Sequence, residues 1–362
     1  MNIALEITAT ATAKGVGINR YVRKLTEGLV AQAPSLGDHI SLGCRFSRFK
    51  NRQYLPHYPG VKNFWIQEPV WPPLHPWQVV HGTDARVPAW RNVARVATVH
   101  DMTIFLFEGL STVPFREKMR AANLRLAKIC HRLIAISQST KEDFLRFIDF
   151  PPERISVTHM AVDPHFQPMP RDEVRAVLDP LGLPPRYLLF VGEISARKNI
   201  IGLVQGFAAS RLAQDTPLVL AGRPGFGFAE IQPILQPHVD AGRIRMLGYV
   251  ADSVLPALYG GAEAFLFPTF YEGFGIPVAE ALACGTPTVG GNLGAVPEVA
   301  GGHAVLVDPH SAQDIARGIE KAVGFTPQQR AAASQFARKY TWQATAQATR
   351  QVYQQAWEDF QS

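Results

Sequence analysis

The feature that most constrains this chain is an unbroken apolar run, Tyr187-Leu188-Leu189-Phe190-Val191, closed by Gly192. A strand with one face in water alternates apolar and polar side chains, whereas a continuous run fits a strand covered on both faces, as in parallel sheets. The run belongs to one of two series. In the first half, β-rich runs fall at residues 3–7, 39–43, 78–81, 95–100, 133–137 and 155–159. In the second half they fall at 187–192, 217–222, 245–248, 264–268, 286–290 and 304–307. Helical periodicity follows the first run, with Ile18, Val22, Leu25 and Leu29 on one face. Strands separated by helices make βαβ units, and 362 residues are too many for one ordinary core. The expected fold is therefore α/β, with two doubly wound, Rossmann-like domains.

The seam is expected in Asp163-Pro164-His165-Phe166-Gln167-Pro168-Met169-Pro170, which is proline-dense and aperiodic. This gives an N-terminal domain over 1–168, a C-terminal domain over 169–342 and a final helix over 343–362. That helix is polar, with Trp342, Val352, Tyr353 and Trp357 as its large anchors, and it needs another surface to lie on. It is expected to cross back over the N-terminal domain. A composition 47% apolar and 18% charged excludes a disordered chain and a coiled-coil rod. The formal charge of +6 is uneven: residues 1–170 hold 21 basic and 13 acidic side chains, and the rest hold 15 and 17. An anionic partner is expected for the first half only. Cys44, Cys130 and Cys284 form neither a disulfide framework nor a zinc pattern. With no signal-peptide pattern at the N-terminus and no apolar stretch near the ~20 residues of a membrane span, a cytoplasmic chain is expected, meeting a membrane only at its inner surface.

Ligands in doubly wound sheets bind at the carboxyl ends of strands and at helix N-termini, and the chemistry-bearing motifs follow strands. After the run at 264–268 comes Thr269-Phe270-Tyr271-Glu272-Gly273-Phe274-Gly275-Ile276-Pro277-Val278-Ala279-Glu280-Ala281-Leu282-Ala283-Cys284-Gly285-Thr286-Pro287. Glu272 falls on the loop and Glu280 in the first turns of the next helix, so both carboxylates can accept hydrogen bonds from sugar or ribose hydroxyls. Gly273 and Gly275 let backbone amides approach an anion. Taken alone, the two acids also fit a helix start satisfying its dipole.

This stretch resembles the nucleotide-sugar site of retaining glycosyltransferases of the GT-B fold, most closely glycosyltransferase family 4. The likeness extends to Phe190-Val191-Gly192-Glu193-Ile194-Ser195-Ala196-Arg197-Lys198-Asn199, to Gly248-Tyr249-Val250 with Leu255-Pro256-Ala257-Leu258-Tyr259, to Gly15-Val16-Gly17-Ile18-Asn19-Arg20-Tyr21 and to Val99-His100-Asp101. It is weakest around residues 44–75. It implies two Rossmann-like domains facing a central cleft, the first for the acceptor and the second for the donor.

The resemblance also assigns roles. Arg197 and Lys198 would stabilise charge growing on a diphosphate leaving group, an interaction stronger in the transition state than before it. A solvated basic turn is the plainer alternative. His100 would lie beside the reacting sugar carbon, Glu272 at the sugar hydroxyls and Glu280 at the ribose. Ile276 would offer its amide to the diphosphate, beside Phe274 and Gly275, with Gly248, Tyr249 and Val250 at the base. Gly15 and Gly17 precede a helix whose N-terminus can hold the same diphosphate, although Gly-x-Gly alone also fits a simple turn; Arg20 in place of a third glycine counts against a nicotinamide or flavin site. Lys198-Asn199 stands where many members have Lys-Gly. His81, Asp84 and Asp101 are candidates for the acceptor side, while the loop 222–227 and Glu298 read as structural.

The implied reaction is retaining transfer of a hexose by front-face attack, with no cofactor and no metal, since no Asp-x-Asp motif or histidine cluster is present. The pattern is most like bacterial surface-polysaccharide and O-antigen enzymes, which favours GDP-mannose over rhamnosyl or glucosyl donors. The acceptor is expected to be a glycan or a lipid-diphosphate-linked saccharide. Arg45, Arg48, Lys50, Arg52 and Lys62, interleaved with Phe46, Phe49, Tyr54 and Trp65, suit an anionic membrane surface or equally a solvated variable region. Rival readings are a GT-B epimerase or phosphorylase, or a non-catalytic sugar-nucleotide-binding subunit. No nucleic-acid motif supports a nucleic-acid partner.

Overall fold

A computed structural model of the protein describes residues 1–13, 17–67 and 76–362. The chain divides into two compact units. The first comprises Met1–Leu106, Thr112–Met160 and Trp342–Ser362, and the second Phe107–Ser111 and Ala161–Thr341. The proline-dense stretch at 163–170 thus belongs to the second unit, where Phe166 is buried.

The first unit has seven described strands: β1 (Asn2–Glu6), β2 (His39–Arg45), β3 (Lys62–Ile66), β4 (Val79–Gly82), β5 (Ala94–Val99), β6 (Arg132–Ala135) and β7 (Ile155–Val157). They form one sheet in the order β3-β2-β1-β4-β5-β6-β7, and every pairing is parallel. The second unit has β8 (Leu188–Val191), β9 (Leu218–Ala221), β10 (Ile244–Gly248), β11 (Ala264–Phe267), β12 (Thr288–Gly291) and β13 (Val305–Val307), ordered β10-β9-β8-β11-β12-β13 and again all parallel. All four residues of β8, β9, β11 and β12 are buried, as the continuous apolar runs require. Twelve of the strands coincide within two residues of an expected run at each end. β3 is the strand without an expected run: an edge strand, Lys-Asn-Phe-Trp-Ile, whose side chains are mostly exposed.

The first helix, Ile18–Leu36, buries Tyr21, Val22, Leu25 and Leu29, while Ile18 is 40% exposed at its open end rather than part of the apolar face. The last helix, Trp342–Gln361, lies in the first unit against the first helix and strands β4, β5 and β6. Its polar surface is used. Arg350 pairs with Asp38 at 2.8 Å and Arg132 with Asp359 at 2.7 Å, while Val352 and Tyr353 are buried. Assigned by unit, the first holds 22 basic and 13 acidic residues and the second 14 and 17, so the charge asymmetry survives the return of this helix.

Candidate functional site

Each sheet has one place where its strand order reverses, β8 beside β11 in the second unit and β1 beside β4 in the first. Loops leave such a pair towards opposite faces, which opens a crevice at the carboxyl ends. In the second unit the two loops bordering that point carry the candidate residues. β8 leads through a tight turn, Ala196–Lys198, into helix Ile200–Ala209; β11 leads through Glu272 into helix Ile276–Ala283.

The turn is fixed by Asn199. Its backbone is left-handed (φ 54°), a conformation that glycine and asparagine tolerate best. This accounts for Lys-Asn standing in place of Lys-Gly. Its side chain caps the following helix by accepting from the Gly202 amide at 3.2 Å, and its Nδ2 donates to the carbonyls of Pro268 (2.9 Å) and Pro309 (2.6 Å). The turn is therefore tied to the ends of β11 and β13.

So held, Lys198 is buried rather than solvated. Its Nζ donates to Glu272 Oε1 at 2.6 Å and lies 4.9 Å from the Phe267 ring centroid. Arg197 Nη1 reaches the same carboxylate oxygen at 3.1 Å and donates to the Tyr271 carbonyl at 3.0 Å. One buried carboxylate is thus clamped by two cations. Burial pushes the Lys198 ammonium down, an effect that Glu272 opposes. Glu272 would be raised by its own burial, but Lys198 and Arg197 outweigh that and hold it below the ordinary carboxylate range. The Glu272 main chain is supported from behind: its carbonyl accepts from the Ala295 amide at 3.1 Å. Gly294 packs so closely there that a Cβ would fall 2.9 Å from that carbonyl oxygen, at a φ of +59°.

Glu280, two percent exposed, lies one turn into helix Ile276–Ala283 and accepts from the Tyr259 hydroxyl at 3.1 Å. Gly275 caps that helix at φ 91°, and Ile276 opens it, where first-turn amides lack a partner within the helix. Phe274 is buried with its ring edge-on to Tyr340, so only its backbone can face a ligand. Gly248 (φ 68°) sits at a register shift between β9 and β10 and turns out Tyr249, whose exposed ring stacks under the Arg223 guanidinium at 4.5 Å; Val250 follows, half-buried. The loop 222–227 is structural at its first residue, because a Cβ on Gly222 would fall 1.7 Å from the Gly192 carbonyl oxygen.

In the first unit, His100 follows β5. Its Nε2 donates to the Thr83 carbonyl at 2.8 Å, which leaves Nδ1 unprotonated, and its ring stands edge-on to Tyr21 at 4.8 Å. Burial pulls it below the usual histidine range, so it is neutral at pH 7. Gly17 (φ 60°) caps the first helix; Gly15 lies outside the described residues.

The three acceptor-side candidates are engaged in the fold. His81 has no exposed surface: Nδ1 meets the Tyr353 hydroxyl at 2.7 Å, Nε2 meets Thr98 Oγ1 at 2.8 Å, and Thr98 meets Tyr21 at 3.1 Å. It bolts the last helix to the sheet, and both of its nitrogens are engaged within the fold. Asp84 is held by the Arg86 guanidinium (2.8 and 3.0 Å) and by the Arg86 amide at 2.8 Å. Asp101 caps the helix Thr103–Leu106 by accepting from the Thr103 amide at 3.0 Å.

Sequence reasoning misses Glu6, which ends β1 at the reversal point with no exposed surface. One oxygen accepts from Thr8 and lies 3.8 Å from Arg45 Nε; the other, Oε2, is buried with no hydrogen-bond partner among the described residues. Burial, then the Asp84 charge, raise its carboxyl to about 7. Burial pulls neighbouring His81 the other way, to about 3. An acid closing the apolar run Ile3–Leu5 is the signal that marks Glu6 in the sequence.

Comparison with known proteins fits this geometry. The profile for "Glycosyl transferases group 1" matches residues 179–340, and that for "Glycosyltransferase Family 4" matches residues 16–166. The chain is 33% identical over 249 residues to an O-antigen chain mannosyltransferase B of Escherichia coli, covering 67% of this chain and 64% of that one. It is 31% identical over 223 residues to the serotype-specific mannosyltransferase WbdA of Escherichia coli, covering 59% and 27%. The chain thus spans just under two thirds of the first relative's length and about a quarter of the second's. Among solved structures, a sucrose-phosphate synthase from Thermosynechococcus elongatus superimposes with a TM-score of 0.75 at 22% identity, over 98% of each chain.

Proposed function

Because the chain belongs to the GT-B glycosyltransferases of family 4, we propose that it transfers a hexose, with retention of anomeric configuration, from a nucleoside diphosphate sugar to a glycan or lipid-diphosphate-linked acceptor. GDP-mannose is the favoured donor and bacterial polysaccharide or O-antigen assembly the favoured setting, readings supported by the mannosyltransferases to which the chain is similar. The observation that carries the proposal is the clamp of Arg197 and Lys198 on Glu272 at the carboxyl end of β11, beside the start of helix Ile276–Ala283.

The clamp is suited to diphosphate chemistry. A diphosphate arriving beside the two cations competes with Glu272 for them, and the released carboxylate oxygen can then accept from sugar hydroxyls. As the bond from the anomeric carbon to the phosphate oxygen breaks, negative charge grows on the diphosphate. A unit charge pair at ~4 Å contributes roughly 4 kcal/mol at an effective dielectric of ~20, so two fixed cations and a helix N-terminus offset much of that charge without a metal. The acceptor hydroxyl oxygen attacks on the same face, and its proton passes to the departing phosphate oxygen. Glu280, buried against Tyr259, holds the ribose hydroxyls. In the first unit, neutral His100, with Nε2 donating to the Thr83 carbonyl, keeps Nδ1 as an acceptor.

The test has three parts. A thermal-shift panel of GDP-, UDP- and dTDP-sugars should single out GDP-mannose, which adds ~2.7 kcal/mol at 100 times its Kd; selection of another base or sugar reassigns the donor. Lys198→Ala should lower kcat by about 10²–10³, as loss of one charge-stabilising group does, while Glu280→Ala mainly raises the donor KM. Transfer should persist in chelator. A Lys198→Ala enzyme with near-normal kcat would sink the assignment.

A further inference from the structure

The first unit carries a surface outside the residues described above as the candidate site. Residues 39–67 contain no acidic side chain and five basic ones. Within this stretch the segment Phe46–Tyr54 leaves the carboxyl end of β2 and lies beside β3, the edge strand of the sheet. Phe46, Phe49 and Trp65 gather there into one cluster, with ring centroids 5.4, 6.2 and 5.0 Å apart, yet they are 49, 39 and 36% exposed. Arg48, Lys50 and Arg52 are exposed around them, and the Arg52 guanidinium lies 4.8 Å over the Phe49 ring.

This is not a loose loop. Asn51 Nδ2 donates to the Ala11 carbonyl at 3.1 Å, Arg23 donates to the Tyr54 carbonyl, and Leu55 and Ile66 are buried. A pinned turn therefore holds three contiguous rings towards water inside a collar of cations. Such a patch on a soluble face marks an interaction surface.

We propose that this patch docks the protein on an anionic lipid bilayer, with the three rings at the boundary of headgroups and acyl chains and Arg48, Lys50 and Arg52 on the acidic headgroups. Both halves of the patch are satisfied at once in that setting: aromatic rings settle at the interface, and long basic side chains reach back to phosphate. A soluble polyanion would neutralise the cations and leave the rings in water. Because every strand of this sheet is parallel, the patch leaves from the same end of the sheet as His100. Docking therefore turns that end towards a lipid-borne acceptor; this last clause rests on the proposed function, whereas the surface itself does not.

The experiment is flotation of the full chain with vesicles of phosphatidylcholine alone or mixed with phosphatidylglycerol, with no donor present, so its outcome is separate from that of the transferase assays. Binding is expected to the anionic vesicles only and to weaken with salt. Lys50→Ala should lower partitioning about five-fold, the worth of one basic residue near such a surface, and Phe49→Ser at least ten-fold. Arg154→Ala, an exposed charge preceding β7 at the opposite edge of the sheet, should leave binding unchanged. Unchanged melting curves confirm that the variants are folded. Equal binding to both vesicle types overturns the proposal. So does an Arg154→Ala loss equal to that of Lys50→Ala, or retention on heparin through these residues without vesicle binding, which would mark a polyanion site.

Discussion

Replacing Glu272 by Gln tests the clamp directly, because the free and nucleotide-bound proteins should respond in opposite senses. In the free protein one carboxylate oxygen lies 2.6 Å from Lys198 Nζ and 3.1 Å from Arg197 Nη1, and the Lys198 and Glu272 side chains are each 9% exposed. Glutamine keeps the shape and one acceptor but removes both charge attractions, leaving two cations side by side with Lys198 out of water. Breaking a buried ion pair from one side typically costs ~3–5 kcal/mol. Taking ~3 kcal/mol, and ~2–4 °C per kcal/mol for a domain of this size, the melting temperature should fall by roughly 6–12 °C. Nucleoside diphosphate restores the missing negative charge, and with no carboxylate competing it should bind at least about ten-fold tighter. Since ten-fold is ~1.4 kcal/mol, GDP at a saturating concentration should raise the variant's melting temperature by roughly 3–6 °C more than it raises the wild type's. Scanning calorimetry with and without GDP reads both quantities. A melting temperature within ~2 °C of wild type, or an equal GDP increment in both proteins, would refute the idea that Glu272 is a surrogate for the diphosphate.

Two further predictions concern the scaffold. Glu6 and His81 have opposed proton linkages: a carboxyl raised to about 7 contributes stability that is lost as pH rises from its unfolded value towards 7, whereas a histidine lowered to about 3 contributes stability that is lost as pH falls below its unfolded value of ~6.5. Between pH ~4.5 and ~6.5 the two cancel, so urea melts of Glu6→Gln should rise relative to wild type by up to ~1.4 kcal/mol per pH unit, and His81→Gln should fall by as much; parallel curves for variants and wild type would dismiss both linkages. Asn199→Ala loses the cap, two hydrogen bonds and a left-handed backbone that alanine disfavours, together ~3 kcal/mol, while Asn199→Gly should recover the backbone share, as differential melting would reveal.

Legibility followed burial. Strands such as Leu188–Val191 and Ala264–Phe267 are sealed on both faces, so nothing polar interrupts their pattern, and the sequence alone reveals them. Among the described residues, Lys62–Ile66 pairs on one side only and leaves most of its side chains exposed, so its sequence carries no comparable run. Within the site, the residue types at 197, 198, 272 and 280 are legible because each follows a strand, but their relations are not. That one carboxylate engages two cations depends on a through-space approach of residues 74 positions apart. His81 shows the limit from the other side. A histidine at the end of a strand in a doubly wound sheet is placed where ligands bind, but the last helix, 272 positions away, brings Tyr353 to its ring and claims it for packing.

The distribution of charge gains a sharper meaning from the clamp. A diphosphate site is usually sought as a positive patch, yet here both candidate cations face the same carboxylate, and the unit that holds them has more acidic than basic residues. Net charge is therefore blind to this site; on the proposed reading its two cations, partly offset by one carboxylate, are fully available only once a diphosphate displaces Glu272. The basic excess lies in the other unit, and part of it is concentrated on Phe46–Tyr54, where exposed cations surround exposed rings. On the two proposals, long-range attraction and short-range charge stabilisation fall to different residues on different sheets. Salt, which screens exposed charges over ~10 Å at 0.1 M but buried pairs much less, should weaken vesicle docking while leaving GDP-induced stabilisation largely intact.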